Sequence, residues 1–389
     1  MPKKALFSIV LIFLLFLVTG GGIALLSHYS IWPFKKITLV LHAGLEKTGT
    51  SSLQRFFCTN SVSLEKEGIL YPNVPDIKIT ARNVSQILQV YKRDPFYFYK
   101  IYFQALRKNC HTVILSSEIM TTNPEELYEI LKKHPMFNVK IILYVRELYG
   151  FSWSYYQQDV KNARQPPDPD HSKNIPPLNL DFWLRSSFKD RLILINFDVH
   201  KKDLLLSFFK RLNLPVSKIN IKGLEQVNRS LSESEHNILN AFVSLRPDFY
   251  RRKISDRFIE KNPTADNFRY YDPKWAQKIY HHNMAALIKA NSLLPKNEKL
   301  PTAPFNPPKY TTTWNKKNIL PEDVKTVLEV LGVEHTFRES SFKKLCPKGF
   351  DMYKYLALNP DVMVAEVDPY QHYVQHGQQE KRPWELKNN

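Results

Sequence analysis

The run Ile37–Phe57, ITLVLHAGLEKTGTSSLQRFF, decides how the chain is read. Ile37 to His42 is nearly all apolar, the composition of a strand buried on both faces of a parallel sheet. Ala43 to Gly49 is a turn with glycines near both ends, Gly44 and Gly49. From Thr50 onward, polar residues that favour a helix start lead into Leu53, Phe56 and Phe57, spaced to lay one helical face on the sheet. The pattern is strand, loop, helix. Such a loop aims backbone N–H groups at one spot, the helix dipole adds partial positive charge there, and Lys47 adds a full one. A phosphate or sulfate is the natural occupant, with hydroxyls at Thr48, Thr50, Ser51 and Ser52 as further donors.

The order of residues separates this loop from the nucleotide-triphosphate type. GxxxxGK followed by Ser or Thr puts lysine after the second glycine, whereas here Lys47 precedes Gly49. The segment HAGLEKTGTSSLQ resembles the 5′-phosphosulfate loop, HxGxxKTGTTSLQ, of sulfotransferases that use 3′-phosphoadenosine-5′-phosphosulfate (PAPS), in the carbohydrate-type and bacterial form. Only Ser51 departs from that pattern. A second stretch carries the same resemblance. Val139 to Val145 reads as another buried strand, Arg146 stands at its end, and Ser154 follows eight residues later on the next helix, FSWSYYQQDV. This is similar to the family's 3′-phosphate motif, in which guanidinium grips the phosphate bidentately and the hydroxyl donates from the helix.

The resemblance spans roughly residues 37 to 234. It implies an α/β, P-loop-NTPase-like sulfotransferase fold with a central parallel sheet, PAPS as co-substrate, and no metal. It places Gly44, Lys47, Thr48, Gly49, Thr50 and Ser51 around the 5′-phosphosulfate, and Arg146 and Ser154 at the 3′-phosphate. Gln226 to Ser234, QVNRSLSES, resembles the family's "NxSLS" segment, which implies Asn228, Arg229 and Ser230 near the nucleotide. Ser232 with Glu235 makes a plain capping box. LEKEGILYP, Leu64 to Pro72, is similar to a "GxLYP" segment of the same enzymes and reads as a helix end, a turn at Gly68 and a short strand. The activity implied is transfer of a sulfuryl group to a hydroxyl or amine of an acceptor, a carbohydrate or glycolipid.

Residue chemistry fits that reading. Charge builds on the bridging oxygen as the bisphosphate leaves, and Lys47 with the Gly49–Ser51 amides is placed to neutralise it. An attacking hydroxyl must lose a proton, so a base is required. Thr112 to Ser117 reads as a strand ending at Glu118, and strand carboxyl ends gather the active sites of open α/β sheets, so Glu118 is the first candidate. His42 is the second, although a histidine ending a buried strand is commonly a satisfied core residue. Glu125 and Glu126 follow an N-cap at Asn123 and Pro124, and read as first-turn charges.

Composition bounds the rest. The chain of 389 residues has 55 Lys and Arg against 37 Asp and Glu, a net charge of +18, which suits an anionic partner. The basic residues are spread out and accompany no base-reading motif, so nucleic acid is not expected. Ala5 to Leu26 is uncharged over 22 residues and follows Lys3 and Lys4. At about 1.5 Å per residue it would span a hydrocarbon core of roughly 30 Å as an uncleaved anchor. A single-pass membrane location follows as an expectation, in a bacterial inner membrane or in the Golgi. Cys58, Cys110 and Cys346 suggest neither a disulfide framework nor a zinc site.

Four domains are expected: 1–34, tip and anchor; 35–292, the sulfotransferase domain; 293–340, a linker rich in Pro and Lys; and 341–389, a small helical module. Within the linker, Leu293 to Pro321 shows no apolar period. The tail, with YLALNPDV and later VDPYQHYVQHGQQEKRP, resembles a short module attached to many bacterial enzymes of surface-glycan synthesis. Asp361 and Asp368 fall near helix starts there, Pro369 suits a first helical position and Gly377 a C′ stop. His372 and His376 lack a third metal ligand at hand. Arg164 to Pro177 is a proline-rich loop that suits an acceptor entrance. Asn83 and Asn228 each open an N-x-Ser sequon. Two rival readings are a kinase using ATP and Mg²⁺, and a membrane-anchored glycan-binding protein with a spent site.

Overall fold

The computed structural model describes residues 35–45, 47–72, 83, 86–117, 120, 123–161, 180–215, 229–245, 250–307 and 309–385. The expected anchor, Glu118, Asn228 and the 164–177 loop lie outside the described residues. No helix among the described residues is long and apolar enough to cross a membrane.

In chain order the elements are β1 (Ile37–His42), α1 (Thr50–Thr59), α2 (Ser61–Lys66), β2 (Ile69–Leu70), α3 (Ile87–Arg93), α4 (Tyr97–Arg107), β3 (Thr112–Ser116), α5 (Pro124–Lys132), β4 (Phe137–Val145), α6 (Leu148–Lys161), α7 (Leu180–Arg185), β5 (Leu192–Asn196), α8 (Phe197–His200) and α9 (Leu204–Leu212). They are followed by α10 (Glu233–Leu245), α11 (Tyr250–Lys261), α12 (Pro273–Leu293), α13 (Pro321–Leu331), α14 (Glu334–Arg338), α15 (Met352–Leu358), α16 (Pro360–Val364) and α17 (Pro369–His372). The chain divides into two compact units. The first comprises 1–147, 177–225 and 283–302; the second comprises 148–176, 226–282 and 303–389.

The first unit is α/β, with helices flanking one five-stranded parallel sheet in the order β2-β3-β1-β4-β5. β1 is central, and every one of its residues except Thr38 is buried. Along the strands the even positions Val40, Ile114, Ile142 and Tyr144 join Leu53, Phe56 and Phe57 of α1 and Leu204, Leu205, Phe208 and Phe209 of α9 in one core cluster. The period of two in the strands and the Leu53/Phe56/Phe57 spacing in α1 therefore face each other. Phe57 meets Phe208 with ring centroids 5.0 Å apart, and the Tyr144 hydroxyl donates to Leu204 O at 2.8 Å, tying β4 to α9.

Register fixes what reaches the carboxyl edge. His42, the last residue of β1, pairs with Ile142, so β4 runs three residues farther, to Val145, alongside β5. From β1 the chain leaves toward β2; from β4 it leaves the opposite way toward β5. The seam between β1 and β4 is thus the topological switch point, where open α/β sheets bind ligands.

β2 is only two residues long and pairs with β3 no farther than Val113. The edge of β3 beyond it is completed by a side chain. Asn83, 2% exposed, donates from Nδ2 to Ile114 O at 2.7 Å and accepts from Ser116 N at 2.8 Å. Its amide does the work of one further strand residue, and as folded this sequon asparagine is buried.

The second unit is helical. The Tyr149 hydroxyl donates to Tyr270 O at 2.9 Å and accepts from Asp272 N, while the Trp153 indole and Gln157 amide both donate to Phe268 O. Part of the stretch expected as a linker folds here: α13 has Pro321 at its first turn and buries Val324, Val327 and Leu328. The long proline-rich approach hid this short amphipathic run. In the tail, Asp368 caps α17 by accepting from Tyr370 N and Gln371 N, with Pro369 in the first turn, as expected. Gly377 serves differently from the expected C′ stop. It is absent from the positive-φ glycines, and a Cβ there would meet the Tyr355 hydroxyl at 2.5 Å, so close approach demands the glycine.

Replacing Asn83 with Ala leaves a buried carbonyl and a buried amide unpaired. The expected cost is about 2–4 kcal/mol of unfolding free energy, measured by denaturant titration; a change below about 0.5 kcal/mol would contradict the strand-completing role.

Candidate functional site

The loop after β1 is built by two glycines with separate reasons. At Gly44 a Cβ would sit 2.2 Å from Thr50 Cγ2, so the chain passes too close to α1 for any side chain. Gly49 has φ +77° and is the N-cap of α1; a Cβ there would also meet Leu204 at 2.5 Å. Helix onset at Gly49 leaves the cap without a side chain. The amides of Ser52 and Leu53 donate back to Gly49 O, while those before them in the first turn have no acceptor within the helix. Lys47 itself is left-handed, φ 65°, a conformation that costs an ordinary residue about 1–2 kcal/mol and gathers at functional sites.

Arg146 reaches this loop. Because β4 overruns β1, its guanidinium lies beside the turn and donates from Nη1 to Lys47 O at 3.3 Å. The ring of Phe197 lies under it, 5.4 Å from the guanidinium carbon. Asp198 pairs with it, Oδ1 standing 3.4 Å from Nε. That nitrogen has no aligned hydrogen-bond acceptor, so the contact is an ion pair rather than a hydrogen bond. The other carboxylate oxygen of Asp198 accepts from Glu147 N at 2.9 Å. Asn196 caps α8 by accepting from Asp198 N, and Glu298 in turn accepts from Asn196 N. Phe197 and Asp198 were not among the residues singled out from the sequence. The signal was present: they directly follow the buried strand β5, the position that drew attention to Glu118.

His42 lies beneath the loop. It is fully buried, its Nδ1 is 2.7 Å from Ser116 Oγ at the end of β3, and it packs edge-on against Tyr144 and Phe208. Its Nε2 has no partner and stands 3.1 Å from the place a Gly44 Cβ would occupy. Burial holds the imidazole neutral, with its pKa lowered to about 3. As placed, the ring is a buttress under the turn, sealed from any acceptor. This is the core-residue alternative for His42, in place of a general base.

Other expectations divide. The Thr48 hydroxyl is fully buried and donates to Leu45 O at 2.6 Å, stapling the loop instead of facing an anion. Thr50 is buried as well, and Ser51 is exposed. Ser154 is half-buried on α6, in the second unit. Arg229 is a correction. It is 3% exposed, and its donors go to Glu235 twice and to the carbonyls of Asn262, Ser230 and Phe258. All five N–H groups are spent, so a nucleotide has nothing to take from it. Ser230 lends its carbonyl to the same network. Ser232 and Glu235 form the expected capping box, Ser232 N donating to Glu235 and Glu235 N to Ser232 Oγ. Sequence proximity to "NxSLS" could not distinguish a ligand arginine from one locked in a buried pair.

The second unit also carries a cleft of about 460 Å³ lined by Ser232–Glu235, Asn267 and Asp323. Its carboxylates are largely engaged: Glu235 by Arg229, and Glu233 by Asn315 N and Asn318. Among the described residues no cluster of three or more His, Cys, Asp or Glu is set to hold a metal. His372 donates or accepts at Tyr355 Oη, 2.8 Å away.

Comparison with protein-family models, curated proteins and solved structures finds no match to this chain.

The buried His42 makes stability pH-dependent. Unfolded, it takes up a proton as pH falls through about 6.5; folded, it does not until about 3. Stability present above 6.5 is therefore lost as the pH falls, by about 2 kcal/mol at pH 5. In the His42→Gln variant, which cannot titrate there, the difference in unfolding free energy between pH 7 and pH 5 should shrink by about that amount, read from denaturant curves at both pH values. An unchanged difference would mean His42 is not held neutral.

Proposed function

We propose that this chain is a PAPS-dependent sulfotransferase of the P-loop-like fold, moving a sulfuryl group to a hydroxyl or amine of a carbohydrate-type acceptor. The observation that carries the reading is the meeting of Arg146 with the Lys47 turn, across the seam of β1 and β4. The Arg146 guanidinium, the backbone of the Lys47 turn and a helix start meet there, on a loop whose order of residues suits a phosphosulfate rather than a Mg²⁺-bound triphosphate.

In the reaction the acceptor oxygen forms a bond to sulfur while the bridging bond from sulfur to the 5′-phosphate oxygen breaks. Negative charge grows on that leaving oxygen. Lys47 and the first-turn amides of α1 neutralise it, and they are most useful where charge appears only in the transition state. Arg146, braced by Asp198 and Phe197, supplies the fixed positive charge that holds the nucleotide. Asp198 keeps the guanidinium from collapsing elsewhere. The acceptor proton goes to a base, and Glu118 retains that role on its sequence position. Arg229 and the Thr48 hydroxyl take no part in binding, since those donors are committed within the protein.

Lys47→Ala should lower transfer of labelled sulfate from PAPS to a glycan panel by about 10²- to 10³-fold; near-normal transfer would remove Lys47 from the transition state. Arg146→Ala should raise the Kd for adenosine 3′,5′-bisphosphate roughly 10- to 100-fold, measured by calorimetry, and unchanged affinity would defeat its assignment. Turnover of ATP that requires Mg²⁺, in place of sulfuryl transfer, would favour a kinase.

A further inference from the structure

The outward face of α4 does not look like ordinary surface. Helical geometry places Phe96, Lys100, Phe103 and Arg107, at spacings of four, three and four, within an arc of about 60°. Phe96 stands at the N-cap and is 48% exposed; Phe103 is 46% exposed. The opposite arc, Phe98, Ile101, Tyr102 and Ala105, is the one that is buried. The helix thus has a core side, and a second side that alternates large aromatics with long cations.

Position says what this second side meets. The Tyr102 hydroxyl donates to Lys35 O at 3.1 Å, so the start of the described chain is pinned to α4. Lys35 and Lys36 are both exposed there. Upstream, the uncharged run ends at Leu26, nine residues before Lys35. Nine residues reach at most about 30 Å. If Ala5–Leu26 lies in a bilayer, α4 is held within that distance of its surface. Charge agrees with this placement: Lys35, Lys36, Arg93 and Arg107 are exposed cations, and the acidic groups near them are paired, Asp94 with Lys100 at 2.7 Å and Glu65 with Lys108 at 2.5 Å.

We infer that the Phe96–Lys100–Phe103–Arg107 face of α4 docks on the anionic phospholipid surface of the membrane that the N-terminal segment enters. The two phenylalanines enter the headgroup boundary while Lys100 and Arg107 stay at the phosphates, the arrangement of interfacial amphipathic helices. Each basic residue near such a surface contributes about 1 kcal/mol. The inference rests on the reading of Ala5–Leu26 as an anchor, and not on the sulfotransferase reading.

The full-length chain, reconstituted in vesicles of phosphatidylcholine with phosphatidylglycerol, tests it. Benzoylphenylalanine replaces Phe96, Phe103 or, as control, Phe182, which is 54% exposed in the same unit. Light should cross-link positions 96 and 103 to lipid at several times the yield of position 182. Reversing charge with Lys100→Glu and Arg107→Glu, or removing phosphatidylglycerol, should cut the yield at 103 by about 5-fold or more. Equal yields at 103 and 182, cross-links to residues 27–34 or to a second protein, or indifference to charge would each overturn the proposal. Failure of the chain to float with the vesicles would overturn the anchor and the docking together, and leave transfer activity to be judged by its own assay.

Discussion

The register of β1 against β4 is the constraint from which the rest of the candidate site follows. His42 opposite Ile142 means that when β1 stops, β4 still has three residues to run. Those residues carry Arg146 past the end of the central strand and set it against the turn holding Lys47. A slip of one residue would turn Tyr144 and Ile142 off the core face and swing Arg146 away from the loop. The aromatic core of α1 and α9, anchored by the Tyr144 hydroxyl on Leu204 O, opposes that slip. Core packing and site geometry are therefore the same specification.

Buried polar groups divide into those that hold the frame and those left to act. Asn83 completes a strand edge, Thr48 staples the turn, His42 props it from below, and Arg229 closes its own network with Glu235. Each satisfies the demand that buried donors and acceptors be paired, apart from His42 Nε2 under Gly44. Beside the turn stands a fixed positive group, the Arg146 guanidinium, next to the start of α1. Asp198 tempers that charge without cancelling it, since it meets the guanidinium at its edge while the face lies on Phe197.

Much of the first unit was legible because its signals are periodic or covalent. Strand β1 begins and ends where its apolar run does, the turn at Gly68 precedes β2, and Asn123 accepts from Glu126 N as an N-cap with Pro124 behind it. The loop glycines were legible as a pattern, although the reason for Gly44 is steric contact with Thr50, which no spacing reveals. Long-range partners were not legible. That Asn83 would reach β3, that Arg229 would spend every donor internally, and that Asp198 would brace Arg146 depend on residues 33, 6 and 52 positions away, set side by side only by the fold. The 293–340 stretch misled for a different reason, as its prolines and lysines outnumber a helix of only eleven residues, α13.

The central claim is that an anionic nucleotide seats on the Lys47 turn at the β1–β4 seam. Hydrogen exchange of the full-length protein, with and without adenosine 3′,5′-bisphosphate, locates that seat directly. The account predicts slowed exchange in peptides covering residues 43–53 and 144–149, with no such slowing for the 262–269 segment that lines the second unit's cleft. Slowing confined to the cleft, or none in either place at saturating nucleotide, would contradict it.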